Sequence, residues 1–95
     1  MNNQGLMNAA SLIAKRNAGG RVVAATVNWD GHDSKLKVTY YVDGIVSDVE
    51  QGLCDLTLTE LLAEFPDVRR AESHCLSASG RLGKLGKMQG LVYLR

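Results

Sequence analysis

The segment Lys35–Asp43, KLKVTYYVD, leaves little freedom in how it folds. Leu36, Val38, Tyr40 and Val42 point one way, and Lys35, Lys37, Thr39 and Tyr41 the other, which is the period of a strand. Arg21–Trp29 alternates in the same manner, with Val23, Ala25, Val27 and Trp29 set to face a core and Thr26 and Asn28 set to face out. The intervening Asp30–Ser34, DGHDS, is rich in residues that accept unusual backbone angles. The two strands therefore read as an antiparallel hairpin, closed downstream by the turn signal Asp43-Gly44.

A helix is expected on either side of this hairpin. Gly5–Ala18 places Leu6, Ala9, Ala10 and Ile13 on one apolar face; Lys15 and Arg16 suit the last turn, and Gly19-Gly20 stops it. After the hairpin, Ser47-Asp48-Val49-Glu50 fits a capping box, in which Ser47 bonds backbone N–H groups and Glu50 reaches back. The helix it opens runs from about Asp48 to Glu64 and puts Cys54, Leu58, Leu61, Leu62 and Phe65 on one face. Gly52 is a weak point that could divide it, and Pro66 ends it because the residue before proline avoids helical angles. Val49, Leu56 and Ala63 form a second, smaller apolar sector, either a further layer of core or a patch for a partner.

Val68–Ala78 reads as a third strand with poor alternation and Leu91–Leu94 as a short closing strand. Between them, Ser79–Gly90, SGRLGKLGKMQG, reads as a basic glycine-rich hairpin loop. The expected architecture is α+β: an antiparallel four-stranded sheet with two helices on one face, in the order α-β-β-α-β-β. Its 95 residues form one domain, 1–95, which buries a little over ~60% of its unfolded surface.

Charge is distributed unevenly. The net charge is only +1, yet all ten acids fall between Asp30 and Glu72, and seven of the eleven basic residues lie outside that window. Asp43–Asp67 carries seven acids and no Lys or Arg. Such a stretch is either a solvated face or a surface for a cationic partner. The near-neutral total argues against a dedicated nucleic-acid binder. No apolar run approaches the ~20 residues that span a bilayer, and the start, MNNQ, lacks the charged region of a secretory signal; a cytoplasmic protein with two free thiols, Cys54 and Cys75, is expected.

The chemistry-bearing residues form no catalytic or metal-binding constellation. His74 and Cys75 are consecutive in a strand and so project to opposite faces. Cys54, Cys75, His32 and His74 lack the paired spacing of a zinc site, and no carboxylate pair has a signature of acid–base work. Neither an enzyme, a metal nor a cofactor is indicated. Gly86-Lys87 fails the phosphate-loop pattern, because Met88 follows the lysine and Arg81 stands five residues before the glycine. Gly83-Lys84-Leu85-Gly86 matches the short GxxG of KH domains, so an alternative reading is a small nucleic-acid-binding module using Arg81, Lys84 and Lys87 of the loop 80–87.

The hairpin with its Trp29-Asp30-Gly31 turn, KLKVTYYVDG, the S-x-x-E helix start, TELLAEFPD, AESHC and the ending LVYLR, in that order, resemble a group of small bacterial proteins. The group includes immunity proteins of contact-dependent growth inhibition and related polymorphic-toxin systems. The resemblance runs from about Arg21 to the C-terminus; the Gly-Lys loop is not part of it. It implies a Whirly-like α+β fold and a protein that binds and blocks a cognate toxin domain, a ribonuclease in the nearest cases, by covering its RNA-binding surface with acidic side chains. A cationic phosphate-binding cleft is matched by carboxylates, in keeping with this expectation. The residues expected at such an interface are Asp43, Asp48, Glu50, Asp55, Glu60 and Glu64, with Tyr41 and Leu56 as anchors.

Overall fold

The structure, a computed structural model, describes residues 3–80 and 82–95. Helix α1 (Asn3–Asn17) is followed by strands β1 (Val22–Asp30) and β2 (Lys35–Val42), helix α2 (Asp48–Glu64), strand β3 (Arg70–Ser77), a 3₁₀ segment (Leu82–Lys87) and strand β4 (Leu91–Leu94).

The sheet is mixed, not antiparallel, and its order is β3-β2-β1-β4. β1 pairs antiparallel with β2 and with β4, but β2 and β3 run parallel, from Lys35 beside Arg70 to Val42 beside Ser77. The cause is α2. Its 17 residues rise about 25 Å and return the chain to the end at which β2 began, so the next strand runs in the same direction as β2. The element order is corrected as well: the 3₁₀ segment stands between the last two strands. Because β3 and β4 occupy opposite edges, residues 79–90 cross over the sheet and are not a hairpin loop.

Both helices pack on one face. Leu6, Ala10, Ile13 and Ala14 of α1 and Cys54 and Leu61 of α2 close over Ala25, Val27, Leu36, Val38, Tyr40, Val42 and Cys75. The four inward residues of β2 are fully buried, as its alternation predicts. A bulge between Val22 and Ala24 shifts the register of β1, so that Val22 joins this core while Val23, expected there, packs on the other face. On that outer face Val23, Ala24, Ala78 and Leu85 form a smaller cluster, flanked by Tyr41, Met88 and Leu91; the crossover segment is its cover.

Glycine is required at one point of this cover. Gly90 has φ +78°, its carbonyl accepts the Val27 N–H at 2.8 Å, and a Cβ there would lie 2.3 Å from Val27 O. Gly52, by contrast, does not interrupt α2, which is continuous to Glu64. Phe65, at φ −125° and ψ 77°, leaves the helix one residue before Pro66.

Candidate functional site

The acids of the central stretch do not act alike once folded. Glu50 is only 5% exposed. Arg21 Nη1 donates to its Oε1 at 2.7 Å, and Ser47 Oγ donates to the same oxygen at 2.7 Å. The expected capping box is therefore not formed in that manner. Ser47 has the extended backbone of an N-cap (φ −123°, ψ 166°), but its hydroxyl bonds the Glu50 carboxylate and not a backbone N–H. The reason is Arg21, which draws the carboxylate away from the Ser47 backbone. The other guanidinium nitrogen, Nη2, donates to Asp43 O at 2.8 Å and to Ile45 O. One arginine thus binds the loop between β2 and α2 at both its ends.

Glu60 is similarly engaged. It forms an ion pair with Arg16 and accepts from Asn17 Nδ2 at 2.9 Å, tying α2 to the end of α1. Asp55 accepts from Gln51 Nε2 at 2.9 Å and from Ser73 Oγ of β3, while remaining exposed. Asp43, Asp48 and Glu64 are exposed, with Arg95 4.0 Å from Asp43. Asp48 and Asp55, seven residues apart, share the outer face of α2; Glu64 lies about 24 Å from Asp48 along the axis and on another flank.

The second apolar sector of α2 is not a further layer of core. Val49 is 68% exposed, Leu56 is 46% exposed, and Ala63 is exposed; no element among the described residues covers them. Between Val49 and Leu56 the helix presents bare backbone at Gly52, where a Cβ would meet nothing within 4 Å. Ile45, 84% exposed, and Val46 extend the apolar surface into the loop before α2. Sequence reasoning passed over these two. Their signal was position: an apolar pair between the Asp43-Gly44 turn and the Ser47 cap belongs to neither strand nor helix.

Tyr41 stands on the opposite face of the sheet, against the cluster beneath Leu85. It cannot share a flat interface with Leu56. That outer face also gathers Lys35, Lys37, Arg70 and His74, with Glu72 bonded to Lys35 at 2.8 Å and to His74 at 3.2 Å. These two partners hold the Glu72 carboxyl below its usual range, the Lys35 bond contributing most. The net effect is a molecule acidic over α2 and basic over the open side of its sheet.

The Gly83–Gly86 segment is part of a 3₁₀ helix, with Leu85 buried under it and Lys84 and Lys87 exposed. The flanking α-helices of a KH clamp are absent among the described residues, and Arg81 lies outside them. His74 is exposed and Cys75 buried on the other side of β3, so they form no pair. Burial pushes the Cys54 thiol up to about 12; it donates to His74 O at 3.4 Å and is an inert core group. Among the described residues no group of three or more His, Cys, Asp or Glu side chains could hold a metal, and no helix is long and apolar enough to cross a membrane.

An exposed apolar and acidic helix face on a small α+β domain is a feature common among proteins that act by binding. Residues 20–95 match the family described as MafI2 immunity protein, and the chain belongs to that family. It is accordingly a toxin-neutralising immunity protein whose partner is a cognate toxin. No curated protein matches the chain. Helix α1 precedes the matched residues but supplies Leu6, Ala10, Ile13 and Ala14 to the core and Arg16 and Asn17 to Glu60.

Proposed function

We propose that this immunity protein blocks a ribonuclease toxin of a contact-dependent or related polymorphic-toxin system, in the cytoplasm, through the outer face of α2 and the loop before it. The observation that carries the reading is the composition of that face. Residues 38–68 contain no Lys, Arg or His, and within them Asp43, Asp48, Asp55 and Glu64 remain exposed. Glu50 and Glu60 serve the fold through Arg21 and Arg16. A ribonuclease must hold phosphates, so its cleft is cationic, and carboxylates can occupy the phosphate positions with charge-assisted hydrogen bonds. Opposite charge also raises the rate of encounter toward about 10⁸–10⁹ M⁻¹s⁻¹ at low salt, which suits an inhibitor of a lethal enzyme.

The test is charge reversal at Asp43, Asp48 and Asp55 together, read as survival of cells expressing the toxin domain and as association rate. Protection should be lost and association slowed at low salt, with folding verified by circular dichroism. Unchanged survival and on-rate would remove this surface from the account.

A further inference from the structure

We infer that the apolar ridge Ile45–Val46–Val49, continued by Leu56, is the anchor of the toxin interface, and that Arg21 is the residue that holds it ready. The inference rests on the proposed function above and adds what lies at the centre of the contact. Acidic side chains alone supply encounter rate and orientation; slow release requires desolvated apolar anchors. The exposed Leu12, Leu76 and Leu94 belong to α1, β3 and β4, so they lie outside this ridge. Ile45, Val46 and Val49 fall within five residues, and Leu56 follows Val49 by about 10 Å of helix, with Gly52 and the half-buried Leu53 between them.

The rim specifies the occupant. Asp43 precedes the ridge, Asp48 lies within it and Asp55 flanks it. The partner surface is therefore an apolar socket rimmed by Lys or Arg on the toxin domain. The exposed backbone at Gly52 permits that rim to approach closely.

The loop is fixed before any partner arrives. Arg21 bonds the carbonyls of Asp43 and Ile45 and the Glu50 carboxylate, and its own carbonyl accepts the Asp43 N–H at 2.8 Å. Gly44, at φ +81°, makes the turn over the guanidinium. A loop already ordered loses less freedom on binding, and that saving appears as affinity. Lysine at position 21 keeps the charge but not the planar fork that reaches three acceptors at once.

The experiment compares wild type, the double variant I45A/V49A, R21K, and the triple R21K/I45A/V49A for binding to the toxin domain, by surface plasmon resonance. Ile45 and Val49 are mostly exposed, so I45A/V49A should unfold at the wild-type temperature. It should dissociate at least about 30-fold faster, with little change in association rate. R21K should also weaken binding, but should add much less in the I45A/V49A background, because the loop then keeps only Val46 to present. A role confined to folding would weaken both backgrounds equally. If wild type binds and I45A/V49A dissociates at the wild-type rate, the anchor is overturned while the proposed function stands. If wild type fails to bind the toxin domain, the proposed function itself falls.

Discussion

Arg21 and Glu50 meet at 2.7 Å, joining the residue before β1 to the third residue of α2. Glu50 is almost fully buried, and Arg21 is about half exposed. Removing the acid therefore leaves a cation that water can reach, but also leaves Ser47 and the loop carbonyls without their organising group. Glu50→Ala should destabilise by about 1–3 kcal/mol, whereas Asp48→Ala should change stability by no more than about 0.5 kcal/mol. Urea unfolding of the two variants checks this, and also guards against mistaking a folding defect at Glu50 for a lost contact.

Beneath α2, the Tyr40 and Thr57 hydroxyls are bonded in the core. Thr57 Oγ1 donates to Leu53 O at 3.1 Å, so Tyr40 supplies the proton between the hydroxyls, and Asn17 Nδ2 donates to Thr57 Oγ1 at 3.2 Å. Tyr40→Phe should cost about 0.5–1.5 kcal/mol, because Thr57 keeps its other partners. Thr57→Val should cost more, about 1–3 kcal/mol, because it leaves a buried phenol unsatisfied. Equal losses in chemical denaturation would contradict the assigned proton.

Two glycines should respond oppositely to alanine. Gly52 is exposed within α2 with open space around it, so Gly52→Ala should stabilise by about 0.5–1 kcal/mol. For a domain of this size that is a rise in Tm of roughly 2–8 °C. Gly90→Ala meets both a positive φ and the Val27 carbonyl, and should lose about 3 kcal/mol or more. Thermal melts followed by circular dichroism separate the two.

Alkali should unfold the protein through two core groups. Burial pushes Cys54 from 9.0 to about 12 and Tyr40 from 10.0 to about 12. Both pKa values are raised in the folded state, so both protons are retained there after the unfolded chain has lost them. Their stabilisation is complete below pH 9 and declines between pH 9 and 12, each ionisation removing about 1.4 kcal/mol per pH unit over its own interval. Denaturation midpoints across that range should fall less steeply in Cys54→Ala, measured against its own value at pH 7.

The strands and helices were largely legible because each is set by local period. β2 shows this best, with Leu36, Val38, Tyr40 and Val42 all buried. The direction of β3 was not read correctly, although the helix between two strands was itself the sign of a parallel crossover. The pairing of charges was less accessible. Arg16 and Arg21 lie 44 and 29 residues before the acids they meet, and no sequence window joins them. The capping pattern marked Glu50 as a local contact, but nothing marked its partner Arg21 or the engagement of Glu60, which only folding separates from Asp48 and Asp55. Exposure of Val49 and Leu56 was equally undecided, since helical spacing gives a face without saying whether anything covers it.

Hydrogen–deuterium exchange of the chain, with and without its toxin domain, tests most directly where the contact is made. Peptides spanning residues 43–56 should gain protection on binding, while 82–87 and the outer face of β3 should exchange as in the free protein. Protection confined to 82–87 and β3, with none across 43–56, would contradict the account.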